Sequence, residues 1–152
     1  MAIEDDITFL EGVPTLGQLG RAALRILAIG AEKRYIRNGE VIFTAGDEAD
    51  GAFIVQEGRF SLSLPEDGSA VTVGSGTLLG EAALFTETKR PTTAMALEPA
   101  TVLRIPRSLF IKMLDSFPGT ARKLREVLAT RLDQSERELQ NLCALLDAYE
   151  PK

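Results

Sequence analysis

The chain has 152 residues, 45% of them apolar, and a formal net charge of −5. That is long enough to bury one core, too apolar for disorder, too scattered in its apolar residues for a membrane span, and of the wrong sign for a nucleic-acid-binding face. It contains no histidine and one cysteine, Cys143, which excludes a His metal site or general base, an axial-His haem, an internal disulfide and a Cys-ligated cluster. The start, Met1 to Asp6, is acidic where a targeting segment would be basic, so a cytoplasmic protein is expected. Nothing in the chain points to an enzyme.

Residues 1–33 read as helix and loop. Leu16, Leu19, Ala23, Leu24 and Leu27 recur at helical spacing, with Gly17, Gly20 and Gly30 weakening the helix they would form. From 34 to 105 the pattern changes to short alternating segments broken by glycines. The expected strands are Arg34–Arg37, Val41–Thr44, Ala52–Gln56, Phe60–Leu64, Val71–Val73, Thr92–Leu97 and Thr101–Ile105. Turn signals fall between them at Asn38-Gly39, Gly46-Asp47, Glu57-Gly58, Asp67-Gly68 and Glu98-Pro99. Many short strands so spaced predict a mainly β fold, an antiparallel barrel or jelly roll with flanking helices.

Two helices are expected next. Leu109, Phe110, Met113, Leu114 and Phe117 suit a short amphipathic helix over 106–118, stopped by Pro118-Gly119. A long helix is expected over 120–149, with no proline or glycine inside it. Its seam steps by four and three through Leu128, Leu132, Ser135, Leu139, Leu142, Leu146 and Tyr149. It could fold back on its own roll, but a narrow seam sustained for three heptads predicts a homodimeric coiled coil. Cys143 would lie near that seam, as a small apolar residue.

The stretch from Gly80 to Ala94 carries the chemistry. Gly80-Glu81-Ala82-Ala83-Leu84 allows one or two helical turns, whose free N–H groups and positive dipole end suit an anion. Arg90 lies nine positions after Glu81, far enough along the loop to fold back onto the same anion. An acceptor beside a cluster of donors fits a ligand with both a hydroxyl and a phosphate.

This stretch resembles the phosphate-binding cassette of cyclic-nucleotide-binding domains, whose usual form is Gly-Glu-Leu-Ala-Leu, a short loop, then Pro-Arg-Ala-Ala-Thr. The segments Arg37 to Asp47 and Ala52 to Gly58 are similar to the opening of that family's β-roll. Ala129 to Leu132 and Asn141-Leu142 look like parts of the dimerisation helix of catabolite activator proteins. The resemblance covers about 10–146 and implies one domain over 1–152: a helical segment (1–33), a β-roll (34–105) with its cassette (80–94), the short helix and the dimerisation helix. It resembles the sensor part of that family, with no helix-turn-helix expected to follow.

By that resemblance, Arg90 pairs with a cyclic phosphate, the amides of Ala82 and Ala83 donate to its oxygens, and Glu81 accepts from the ribose 2′-hydroxyl. Gly80 permits close approach, and Thr92 and Thr93 offer further donors. Ser135 would either meet the adenine or set the register of the seam; the adenine contact favours cAMP over cGMP. Pro91 and Lys89 depart from the family's pattern. The residue after the arginine normally donates its N–H to the phosphate, and proline has none.

The function expected is a stand-alone cyclic-nucleotide sensor that signals to a separate, unidentified protein. It needs no cofactor or metal and binds neither nucleic acid nor membrane. The alternative is a dimerisation or scaffold module that kept the fold and lost the ligand. A cupin-type enzyme on a similar roll fails for want of histidine ligands.

Overall fold

The computed structural model describes residues 3–13, 16–66, 68–84 and 87–122. Helix α1 (Ile3–Glu11) and a 3-10 turn (Leu16–Gln18) lead into helix α2 (Arg21–Gly30). The expected helical stretch from Leu16 is thus divided. Gly20, at φ 85°, breaks it with a backbone conformation that other residues adopt only at a cost. Its apolar positions all the same face one way, and Leu16, Leu19, Ala23, Leu24 and Leu27 are buried. Pattern outlives boundary here, because burial depends on which side a residue faces and only weakly on which helix type carries it.

Among the described residues ten strands follow: β1 (Glu32–Ile36), β2 (Val41–Phe43), β3 (Glu48–Ala49), β4 (Gly51–Glu57), β5 (Phe60–Ser63), β6 (Ala70–Val73), β7 (Leu78–Leu79), β8 (Thr88–Lys89), β9 (Thr93–Ala96) and β10 (Ala100–Pro106). They form one sheet ordered β1-β10-β4-β7, a second ordered β2-β9-β5-β6, and a small ribbon β3-β8. Neighbouring strands run antiparallel. All seven expected strands exist, with ends shifted by one or two residues. The two-residue strands β3, β7 and β8 were not expected, being too short to show alternation.

The two central strands of the first sheet, β4 and β10, are buried on both faces. Ala52 and Ile54 of β4, with Leu103 and Ile105 of β10, pack among α1, α2 and helix α3 (Arg107–Ser116). Phe53, Val55, Ala100 and Val102 point the other way, into the roll against Phe43, Phe60, Ala94 and Ala96 of the second sheet. A strand buried on both sides reads as an uninterrupted apolar run, and Ala52 to Val55 is one. The roll is therefore an antiparallel jelly roll with its helices on one side.

Helix α3 ends at Ser116, where Phe117 leaves helical geometry at φ −134°. Residues 118–122 are helical again. The Pro118-Gly119 stop is thus a break and a restart, since proline suits the first position of a helix. The expected long helix over 120–149, its seam from Leu128 to Tyr149, Ser135 and Cys143 lie outside the described residues from 123 onward.

Candidate anion site at the cassette

Gly80 sits at φ 81°, a left-handed conformation that releases the chain from β7 into a 3-10 turn over Glu81–Leu84. The turn is a single tight one, closed by the Ala83 N–H donating to the Gly80 carbonyl at 3.0 Å. An anion approaching this turn must share the Ala83 N–H with that bond. Leu84 is fully buried beside Phe110 and Met113 of α3, which anchors the far end of the turn in the helical core.

Arg90 follows β8 and is held by its backbone. Its N–H donates to the Asp47 carbonyl at 2.8 Å and its carbonyl accepts from the Gly46 N–H at 2.8 Å. The Thr93 hydroxyl accepts from the Ala45 N–H at 2.9 Å, tying the same loop to β9. Thr93 thus has a structural task, while its own proton remains available to donate. Thr92 lies half-buried on the same loop, and Pro91 lies exposed between it and Arg90.

The Arg90 side chain runs inward and is only 5% exposed. Its guanidinium carbon stands 4.5 Å from the Phe43 ring centroid and 5.5 Å from that of Phe53. The two rings are themselves 5.9 Å apart. A Cβ built on Gly80 would overlap Arg90 Nη1, so glycine is what allows the guanidinium to lie against the start of the turn. Arg90 Nε and Nη1 are both buried and find no acceptor. Arg90 also enters none of the ion pairs found among the described residues.

Burial holds the Arg90 guanidinium below the usual arginine range; Asp50 and Asp47 act against this, and Arg104 adds to it. The ordinary value is so high that the group remains a cation. Asp50 gives its close contact to Arg104, 2.6 Å away, and Arg104 also pairs with Glu32 at 3.1 Å. Glu81, half-buried at the head of the turn, already has an interaction partner within the protein.

Across the second sheet, Phe43 pairs with Ala94, Ala94 with Leu62, and Leu62 with Val71. These four residues share the inner face, and Val71 at its edge is 62% exposed. An apolar row thus runs from under the Arg90 guanidinium to the open edge of the roll. A buried cation with free donors at one end and an apolar row leading from it to an exposed edge at Val71 can take a ligand with an anionic and a flat apolar part. Sequence reasoning placed Gly80, Glu81 and Arg90 in one segment; the structure sets Gly80 against Arg90, with Glu81 next to Gly80 at the head of the turn. Sequence reasoning missed Phe43, Phe53, Leu62 and Val71; the alternation of β5 was the available signal for Leu62, while the unbroken apolar runs of β2 and β4 gave no facing direction for the two phenylalanines. Arg107, whose contacts are described below, gave no such signal.

This architecture is an antiparallel β-roll with a buried, unpaired arginine at its cassette. The chain belongs to the cyclic nucleotide-binding domain family, whose model matches residues 33–117. It is 38% identical to a cyclic nucleotide-binding-like protein of Brucella abortus, with a TM-score of 0.66 over 73% of this chain and 98% of that one. The N-terminal domain of a transcriptional regulator of Streptomyces coelicolor superposes with a TM-score of 0.76 at 25% identity, over 86% of this chain and 94% of that one. Over 101 residues it is 32% identical to a lysophospholipase of Aspergillus fumigatus, covering 64% of this chain and 7% of that protein. The chain spans less than a quarter of the length of the curated relatives it matches. Enzymes therefore carry a domain of this kind as one part of a much longer protein. Among the described residues no helix is long and apolar enough to cross a membrane, and no group of side chains has the make-up of a metal site.

Proposed function

We propose that the chain is a regulatory module that binds a 3′,5′-cyclic nucleotide, with the cyclic phosphate on Arg90. The carrying observation is the buried Arg90 guanidinium with Nε and Nη1 unpaired beside Gly80. A buried cation without a counter-ion is expensive, and an anion that reaches those two donors removes the expense. Planar donors suit two phosphate oxygens at once, a geometry that lysine lacks. The Ala82 N–H, with a share of the Ala83 N–H, adds to the grip, and Thr92 and Thr93 supply hydroxyl donors. Glu81 takes the ribose 2′-hydroxyl, and the base lies along Leu62 and Val71.

Ser135 meets the adenine, which favours cAMP over cGMP. The module acts as a homodimer through Leu128–Tyr149 and signals to a separate protein. Titration calorimetry with cAMP, cGMP and 2′-deoxy-cAMP tests the ligand reading. Saturable binding that weakens without the 2′-hydroxyl supports it; no heat from any of the three at high micromolar concentration overturns it. That second result would favour a scaffold that kept the fold and lost its ligand. The specific observation on that side is Pro91, which offers no N–H at the loop that follows Arg90.

Two predictions follow from these assignments. Pro91→Ala restores a backbone donor next to the phosphate. Because a hydrogen bond to a charged group contributes about 1.5–3 kcal/mol, affinity for cAMP should rise roughly ten- to a hundred-fold by calorimetry. Unchanged affinity would mean that this N–H does not face the phosphate. Sedimentation of a chain ending at Leu128 should give a monomer where the 152-residue chain gives a dimer, and a persisting dimer would contradict the seam.

A further inference from the structure

Arg107 opens α3, and its side chain points back toward the cassette. Its Nε donates to the Ala83 carbonyl at 2.8 Å and its Nη2 to the Ala49 carbonyl at 2.5 Å. Its backbone N–H donates to the Asp50 carbonyl at 2.6 Å. Ala83 belongs to the cassette turn. Ala49 belongs to β3, which pairs through Ala49 with Thr88 of β8, the strand that delivers Arg90. The loop ahead of β3 also holds the Arg90 backbone at Gly46 and Asp47. One forked guanidinium therefore bridges the two pieces of chain that meet at the anion site: the turn beginning at Gly80 and the ribbon carrying Arg90.

We propose that Arg107 is a positioning residue for the anion site, holding the cassette turn and the Arg90 ribbon in fixed relation to each other. This rests on the reading of that site as the phosphate contact. The two bonds are charge-assisted, and each is about twice as strong as a neutral one. They diverge toward two separate carbonyls, which a guanidinium can serve together and an ammonium serves less well. Arg107 spends two of its donors on these carbonyls. It acts by keeping the Gly80 backbone at the distance from Arg90 Nη1 that only a glycine permits.

The test compares the full chain with Arg107→Met and Arg107→Lys, using cAMP as the probe and amide hydrogen exchange without ligand as a second readout. Arg107→Met should lower cAMP affinity roughly ten-fold, with Arg107→Lys in between. Exchange should quicken at residues 81–84 and 88–90 by more than at β5 and β6, which Arg107 does not touch. Wild-type affinity and wild-type exchange in Arg107→Met would overturn the proposal. So would a uniform rise in exchange across both sheets, the mark of lost global stability alone. Should the unaltered chain bind no cyclic nucleotide, the ligand reading fails by itself, and the exchange comparison still decides whether Arg107 ties the two segments together.

Discussion

Replacing Arg90 with methionine should cost the protein its ligand while leaving it, without ligand, at least as resistant to heat. The two effects have separate causes. Removing one partner of a buried, hydrogen-bonded charge pair costs about 2–5 kcal/mol, so affinity for cAMP should fall at least about thirty-fold, read by calorimetry. In the ligand-free protein the balance reverses. Arg90 is 5% exposed and its Nε and Nη1 have no acceptor. Its stacking on Phe43 and Phe53 contributes about 1–2 kcal/mol each, whereas withdrawing an unpaired cation from water costs several kcal/mol. Methionine keeps most of the volume against the two rings without the charge. Thermal unfolding of Arg90→Met should therefore occur at the same temperature or higher. A marked fall in unfolding temperature would mean that the guanidinium serves the fold, and the argument for a missing anion would lose its basis.

Gly80→Ala should damage the same site from the other side. At φ 81° a side chain costs about 1–2 kcal/mol in backbone strain, and the new Cβ would occupy the place of Arg90 Nη1. The guanidinium, as the end of a flexible side chain, must give way and leave its position over the rings. Affinity for cAMP should drop more than about ten-fold, with a loss in unfolding temperature of about 2–8 °C. Gly20 supplies the control, since it has φ 85° and a Cβ there would meet nothing within 4 Å. Gly20→Ala should lose similar stability and keep its affinity. Equal loss of affinity in both variants would show that strain, and not the collision with Arg90, is responsible.

The fold was legible in the sequence wherever burial imposes a period. β4 and β10 are packed on both faces, so their apolar runs stood out; α2 has one buried side, so its spacing stood out. The ribbon β3-β8 did not, because its four residues are held by backbone hydrogen bonds and by the loop around Asp47, and such bonds leave no trace in residue type. The same limit applies to the site. Gly80, Glu81 and Arg90 form a local pattern along one segment, and the structure brings Gly80 and Arg90 into contact.

Phe43 and Phe53 come from strands far from the cassette, and only the pairing of two sheets sets their rings beneath Arg90. Arg107 was hidden for a further reason. It acts on backbone carbonyls, which every residue carries, so nothing at Ala49 or Ala83 marks them as its partners. Pro91 was legible as a missing donor. What compensates for it is a matter of geometry: Thr93 spends its acceptor on Ala45, which leaves its proton as one candidate donor in place of the absent N–H.

The most direct test of the central claim is a crystal structure of the chain with cAMP. The account predicts a cyclic phosphate whose oxygens lie within hydrogen-bond distance, about 3 Å, of both Arg90 Nε and Arg90 Nη1. A nucleotide bound elsewhere, or one whose phosphate leaves those two nitrogens unpaired, would contradict it.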